Sequence, residues 1–148
     1  MIESVPMTRL RALVFAVLVL AGCTSVKVNT VDPAKHPVNL VCIKKNPEVH
    51  IREFLGVVED GFQRHGIETE VFDSDPPPSC EYVLTYVATR AWDLATFMQH
   101  AELRLKQGNK IIGTAIYHHH GGLALTKFSS VETKMTPVID ELLSGFPQ

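Results

Sequence analysis

The 148 residues carry 14 Lys and Arg against 16 Asp and Glu, with 45% hydrophobic side chains and three cysteines. That balance excludes a disordered polymer and a disulfide-dense miniature scaffold. With no basic excess and no basic run, no nucleic-acid partner is expected, and the length suits one ordinary domain.

Arg9 and Arg11 precede an apolar run from Ala12 to Ala21 that holds no charge and no proline. A membrane-crossing helix needs roughly 20 apolar residues, about twice this run. Residues 1–22 therefore read as a signal peptide, with Met1 or Met7 as its start. Leu20-Ala21-Gly22-Cys23 resembles a bacterial lipobox. The resemblance implies diacylglycerol on the Cys23 thiol and an acyl chain on its freed amine. Several chains at about 0.8 kcal/mol per buried methylene hold a protein stably on a bilayer. Thr24, where an Asp would favour inner-membrane retention, implies the periplasmic face of the outer membrane, with the inner membrane as the alternative. An ordinary signal peptide with an incidental cysteine is the competing reading.

An odd cysteine count in an exported chain asks what the unpaired thiol does. Lipidation of Cys23 answers it and leaves Cys42 and Cys80 to pair or to remain separate buried thiols. Closing that loop of roughly 38 residues would stabilise by about 3 to 4 kcal/mol on a chain-entropy argument.

Residues 23–37 are polar, carry Pro33 and Pro37 and show no sustained period, which predicts a lipidated tether ahead of one periplasmic domain over 38–148. Val38 to Lys44 is dense in β-branched residues and predicts a buried strand. Val49 to His65 spaces Ile51, Phe54, Leu55, Val58 and Phe62 as an amphipathic helix ended by Gly66. Ile67 to Phe72 alternates as a half-buried strand, so strand, helix and strand suggest a βαβ unit.

After the Pro76-Pro77-Pro78 loop, Glu81 to Arg90 predicts a central strand and Trp92-Asp93-Leu94 a turn. Phe97 to Lys106 alternates between apolar and charged residues, and Gly108-Asn109 signals a hairpin into a strand over Ile111 to His118. Ser129-Ser130-Val131-Glu132 matches a capping box, opening a helix that Pro137 should kink or restart. The expected fold is an α+β sandwich: a mixed sheet of about five strands with two helices on one face, in the order β-α-β-β-β-β-α.

His118-His119-His120 invites a metal, but adjacent strand residues point to opposite faces. If Gln107 pairs with Lys110, His100, His119 and Glu102 share a face. A one-residue slip instead gathers His100, His118 and His120. Either set falls short of a complete zinc shell, and solvated histidines at a strand end are the simpler reading. Neither a Gly-x-Ser-x-Gly elbow nor a phosphate loop is present, so no catalytic residues are assigned and a non-enzyme is favoured. Arg90, Trp92 and Asp93 have the composition of an interface anchor, with an Arg90–Asp93 pair framing the indole. Trp92 as a core cap is the simpler alternative.

From about Val38 to Phe146 the chain resembles a family of small, uncharacterised proteobacterial lipoproteins named only after a locus tag. The resemblance rests on Val41-Cys42-Ile43, Gly61-Phe62, Arg64-His65-Gly66-Ile67, Cys80-x-Tyr82-x-Leu84-x-Tyr86, Trp92-Asp93-Leu94 and Ala101-Glu102. Further on it includes Ile112-Gly113-x-Ala115, Gly121-Gly122 and Lys134 with Pro137-Val138-Ile139-Asp140-Glu141-Leu142-Leu143. It implies a shared fold and the placement of the cysteine pair, and it brings no activity. Together these readings predict a lipid-anchored binding or accessory module with an envelope protein partner and no cofactor beyond its lipid. A metal-binding protein or metal enzyme using His100, Glu102 and His118 to His120 is the alternative.

Overall fold

The computed structural model describes residues 24–122 and 124–148, so Cys23 and the signal peptide lie outside the described residues. Six strands form one mixed sheet: β1 (Thr24–Asn29), β2 (Leu40–Lys44), β3 (Glu68–Phe72), β4 (Tyr82–Asp93), β5 (Ala95–Gln107) and β6 (Lys110–His119). Two helices, α1 (Phe54–Arg64) and α2 (Val131–Leu142), pack against each other, and a 3-10 turn spans Leu125–Phe128. The strand order is β1-β6-β5-β4-β2-β3, with β2 parallel to both its neighbours and the other pairs antiparallel.

The mixed sheet with two helices agrees with the sequence, while the strand count and order need correction. The sixth strand, β1, lies inside the segment expected to be a tether. Val26 and Val28 of β1 stand opposite Tyr117 and Ala115 of β6, so a short alternating stretch finds its partner nearly a hundred residues away. The chain beyond it is also fixed: Val31 is buried and its N–H donates to the Leu142 carbonyl at 2.9 Å, and His36 Nδ1 lies 2.8 Å from Gln107 Oε1.

Burial follows the two periodicities. Leu84, Tyr86 and Ala88 of β4 and Ala101, Leu103 and Leu105 of β5 alternate onto the core face. Phe54, Val58 and Phe62 of α1 and Met135, Val138, Ile139 and Leu142 of α2 return the apolar stripes that cover them. The helices cross at Gly61, where a β-carbon would stand 2.7 Å from Ile139 Cγ2.

Helix α2 starts one residue later than the capping box suggests: Ser130 is the cap, and its Oγ accepts from the Thr133 N–H at 3.1 Å. The helix runs on through Pro137 rather than restarting there. At the other surface, Cys42 and Cys80 are joined by a disulfide that ties β2 to the loop entering β4.

Candidate functional site

Gln107 does pair with Lys110, as the Gly108-Asn109 turn requires. Yet the register shifts within the ladder: Lys106 faces Ile111 and Leu105 faces Gly113, leaving Ile112 as an extra residue on β6. Downstream of that bulge every side chain changes face. His100 therefore stands opposite His118, with their ring centroids 5.5 Å apart, and His118 and His120 approach to 4.6 Å. His120 Nε2 lies 2.9 Å from Ser25 Oγ on β1.

His119 is turned to the core side, 1% exposed, with Nδ1 3.2 Å from Thr24 Oγ1 and its ring edge-on to Phe97. Burial, reinforced by the charges of Lys134 and Lys127, pushes its pKa below the usual imidazole value. The set His100, Glu102 and His119 is thus split by the sheet, and Glu102 accepts from Arg104 Nε. Among the described residues no three His, Cys, Asp or Glu side chains are placed to hold one metal ion.

The second candidate cluster also changes. Trp92 and Asp93 belong to β4 rather than to a turn, and the chain reverses at Leu94, whose φ is +60°. Trp92 is 74% exposed, which overturns the reading of it as a core cap. Asp93 does not frame the indole with Arg90. Its carboxylate accepts from Lys127 Nζ, whose ammonium also donates to the Gly122 carbonyl at 3.0 Å and lies over the Phe128 ring. Lys127 and Lys134 are both buried, an environment that nothing in their sequence neighbourhood announces. Lys134 Nζ donates to the carbonyls of Met98 and Lys127, lies over Phe97, and has its pKa lowered by burial.

These contacts clip the 3-10 turn to the projecting end of the β4–β5 hairpin. Phe97 is sandwiched edge-on between His119 and Phe128, with the Lys127 and Lys134 ammonium groups over its ring. On the outside, Leu94 is 85% exposed and Leu125 81% exposed. With Trp92 they are the three most exposed large apolar side chains among the described residues, and all three sit at this one end. Trp92 was legible as a candidate. Leu94 and Leu125 were not, because exposure of a leucine leaves no sequence signature.

The same overall arrangement occurs in solved structures. The PelC dodecamer from Paraburkholderia phytofirmans superposes with a TM-score of 0.55 at 13% identity, over 84% of this chain and 99% of that one. A point variant of the same PelC dodecamer gives a TM-score of 0.55 at 11% identity, over 82% of this chain and 95% of that one. A PDZ domain protein from Parabacteroides distasonis overlaps at a TM-score of 0.40 and 6% identity, covering 90% of this chain and 40% of that one. At these identities the PelC likeness shows a shared fold. No protein-family model and no curated protein matches the chain.

Proposed function

We propose that this chain is an exported lipoprotein, anchored through acyl chains on Cys23 at the periplasmic face of the outer membrane, whose α+β domain serves as a binding or accessory module. The observation that carries this reading is the Cys42–Cys80 disulfide. It uses the two cysteines outside the lipobox-like motif and suits an oxidising compartment, which leaves Cys23 as the unpaired thiol of the three. Membership of the locus-tag lipoprotein family is part of the same proposal.

The likeness to a fold that in PelC assembles as a dodecamer supports including a second copy of this chain among the envelope protein partners to be tested. A metal-handling role is the runner-up, favoured only by the two imidazole pairs His100–His118 and His118–His120. Expression of the Cys23→Ser variant tests the main reading. The wild-type chain is expected in the outer-membrane fraction and the variant in the soluble periplasmic fraction; a variant that stays with the membrane contradicts it.

A further inference from the structure

Thr24 pairs with His119 at the end of β6, and Ser25, His118, His100 and Thr89 form one row across four strands. Beyond that level β6 ends, while β4 and β5 continue to the reversal at Leu94. The overhang from Met98 to Leu94 spans about five residues, or roughly 15 Å of extended chain. So the residue that follows Cys23 and the exposed Trp92, Leu94 and Leu125 lie toward the same end of the sheet.

The opposite end is different. Its hairpin runs Gln107-Gly108-Asn109-Lys110, which is polar throughout. Leu94 also occupies a left-handed position where Gly or Asn is the inexpensive choice. A leucine there, with its side chain in solvent, is accounted for neither by turn chemistry nor by core packing. A tryptophan beside it has the amphipathic ring that settles at a membrane–water interface.

Resting on the lipid-anchor reading above, we propose that Trp92 and Leu94 at the hairpin tip, together with Leu125 of the 3-10 turn that the Asp93–Lys127 bond ties to that tip, form a second membrane contact that inserts into the leaflet holding the Cys23 acyl chains. One residue spans no more than about 3.6 Å. Thr24 is fixed in the sheet, so an anchor on Cys23 leaves too little free chain to lift the longer hairpin clear of the lipid. With the hairpin two to three strand spacings from β1, or roughly 12 Å, a tilt of the sheet by about 50° brings anchor and tip to one surface. The tip then fixes the orientation of the domain, which a lipid on a flexible tether would leave free.

Trp92 is the only tryptophan in the chain and reports on the contact directly. The full-length protein, purified from membranes and verified by mass for acylation at Cys23, is reconstituted into phosphatidylethanolamine and phosphatidylglycerol vesicles with and without brominated acyl chains. The expected result is blue-shifted Trp92 emission, quenched by about half or more in brominated vesicles, with quenching largely lost in the L94D/L125D variant. Both of those side chains are exposed, so the variant should melt at the wild-type temperature.

Unquenched, red emission from acylated protein overturns the tip contact and leaves the anchor standing. Emission shielded from aqueous iodide but not quenched by brominated lipid assigns the tip to a protein surface and equally overturns the proposal. An unmodified Cys23 removes the anchor reading and this proposal with it.

Discussion

Thr24 stands opposite His119 in the β1–β6 ladder, with its Oγ1 3.2 Å from the imidazole Nδ1. The first described residue after Cys23 is therefore part of the sheet, and it helps to cover a histidine that the sequence offered as a metal ligand. The contact joins the first described strand to the buried cluster around Phe97.

That cluster makes stability sensitive to acid. An unfolded histidine takes up a proton near about pH 6.5, whereas folded His119, buried beside two lysines, resists it to a lower pH. Its neutral form supports the fold fully above about pH 6.5, and that support is lost as pH falls from there toward the lower folded pKa. Urea unfolding from about pH 8 to about pH 5 should show wild-type stability falling more steeply than that of His119→Gln. Parallel curves would mean that His119 is not the group responsible.

Asp93→Asn should loosen the 3-10 turn. Lys127 would keep its burial and lose its carboxylate, at a cost of about 1 to 2 kcal/mol once the half-exposed position of Asp93 is allowed for. Hydrogen exchange at residues 124–128 is expected to rise well before global unfolding. Unchanged exchange there would show that the carbonyl contacts suffice.

Two glycines of α1 should respond in opposite directions. A β-carbon at Gly61 meets Ile139 at 2.7 Å and should destabilise by about 1 to 3 kcal/mol as Gly61→Ala. At Gly56 nothing lies within 4 Å, so Gly56→Ala should stabilise by about 0.5 to 1 kcal/mol through helix propensity. Chemical denaturation of both variants checks the helix crossing, and equal shifts of one sign would refute it.

Removing the disulfide as C42A/C80A should lower stability by about 3 to 4 kcal/mol on the chain-entropy argument. The native protein, alkylated with and without prior reduction, should differ by two alkyl groups. Equal masses would show that the bond is absent.

Titration of the full chain with zinc, copper and nickel should reveal no micromolar site, because no three His, Cys, Asp or Glu side chains among the described residues are placed to hold one ion. Micromolar or tighter binding abolished by His118→Ala would put the metal-handling reading ahead.

Much of the fold could be read from local pattern. The spacing of Phe54, Val58 and Phe62 and the Gly108-Asn109 turn are signals within a few residues, and each led to the observed element. Strand β1 is not legible because Val26 and Val28 are too few to establish a period, and its partner lies in β6. The bulge at Ile112 was equally hidden. The doublet Ile111-Ile112 marks it only after Gly113 is seen to pack where a β-carbon would strike Val31. The usual behaviour of large apolar residues argues for Trp92 in the core, a tendency that says nothing about a hairpin that outruns its neighbours. The burial of Lys127 and Lys134 is illegible for the converse reason: charge argues for exposure unless the partners are known.

What Cys23 carries is decided by the mass of the amino-terminal peptide of the membrane-extracted protein. A peptide beginning at Cys23, with the added mass of diacylglycerol and one amide-linked acyl chain, is the predicted result. A peptide beginning at Met1 or Met7, or one beginning at Cys23 with a free thiol and a free amine, would contradict it.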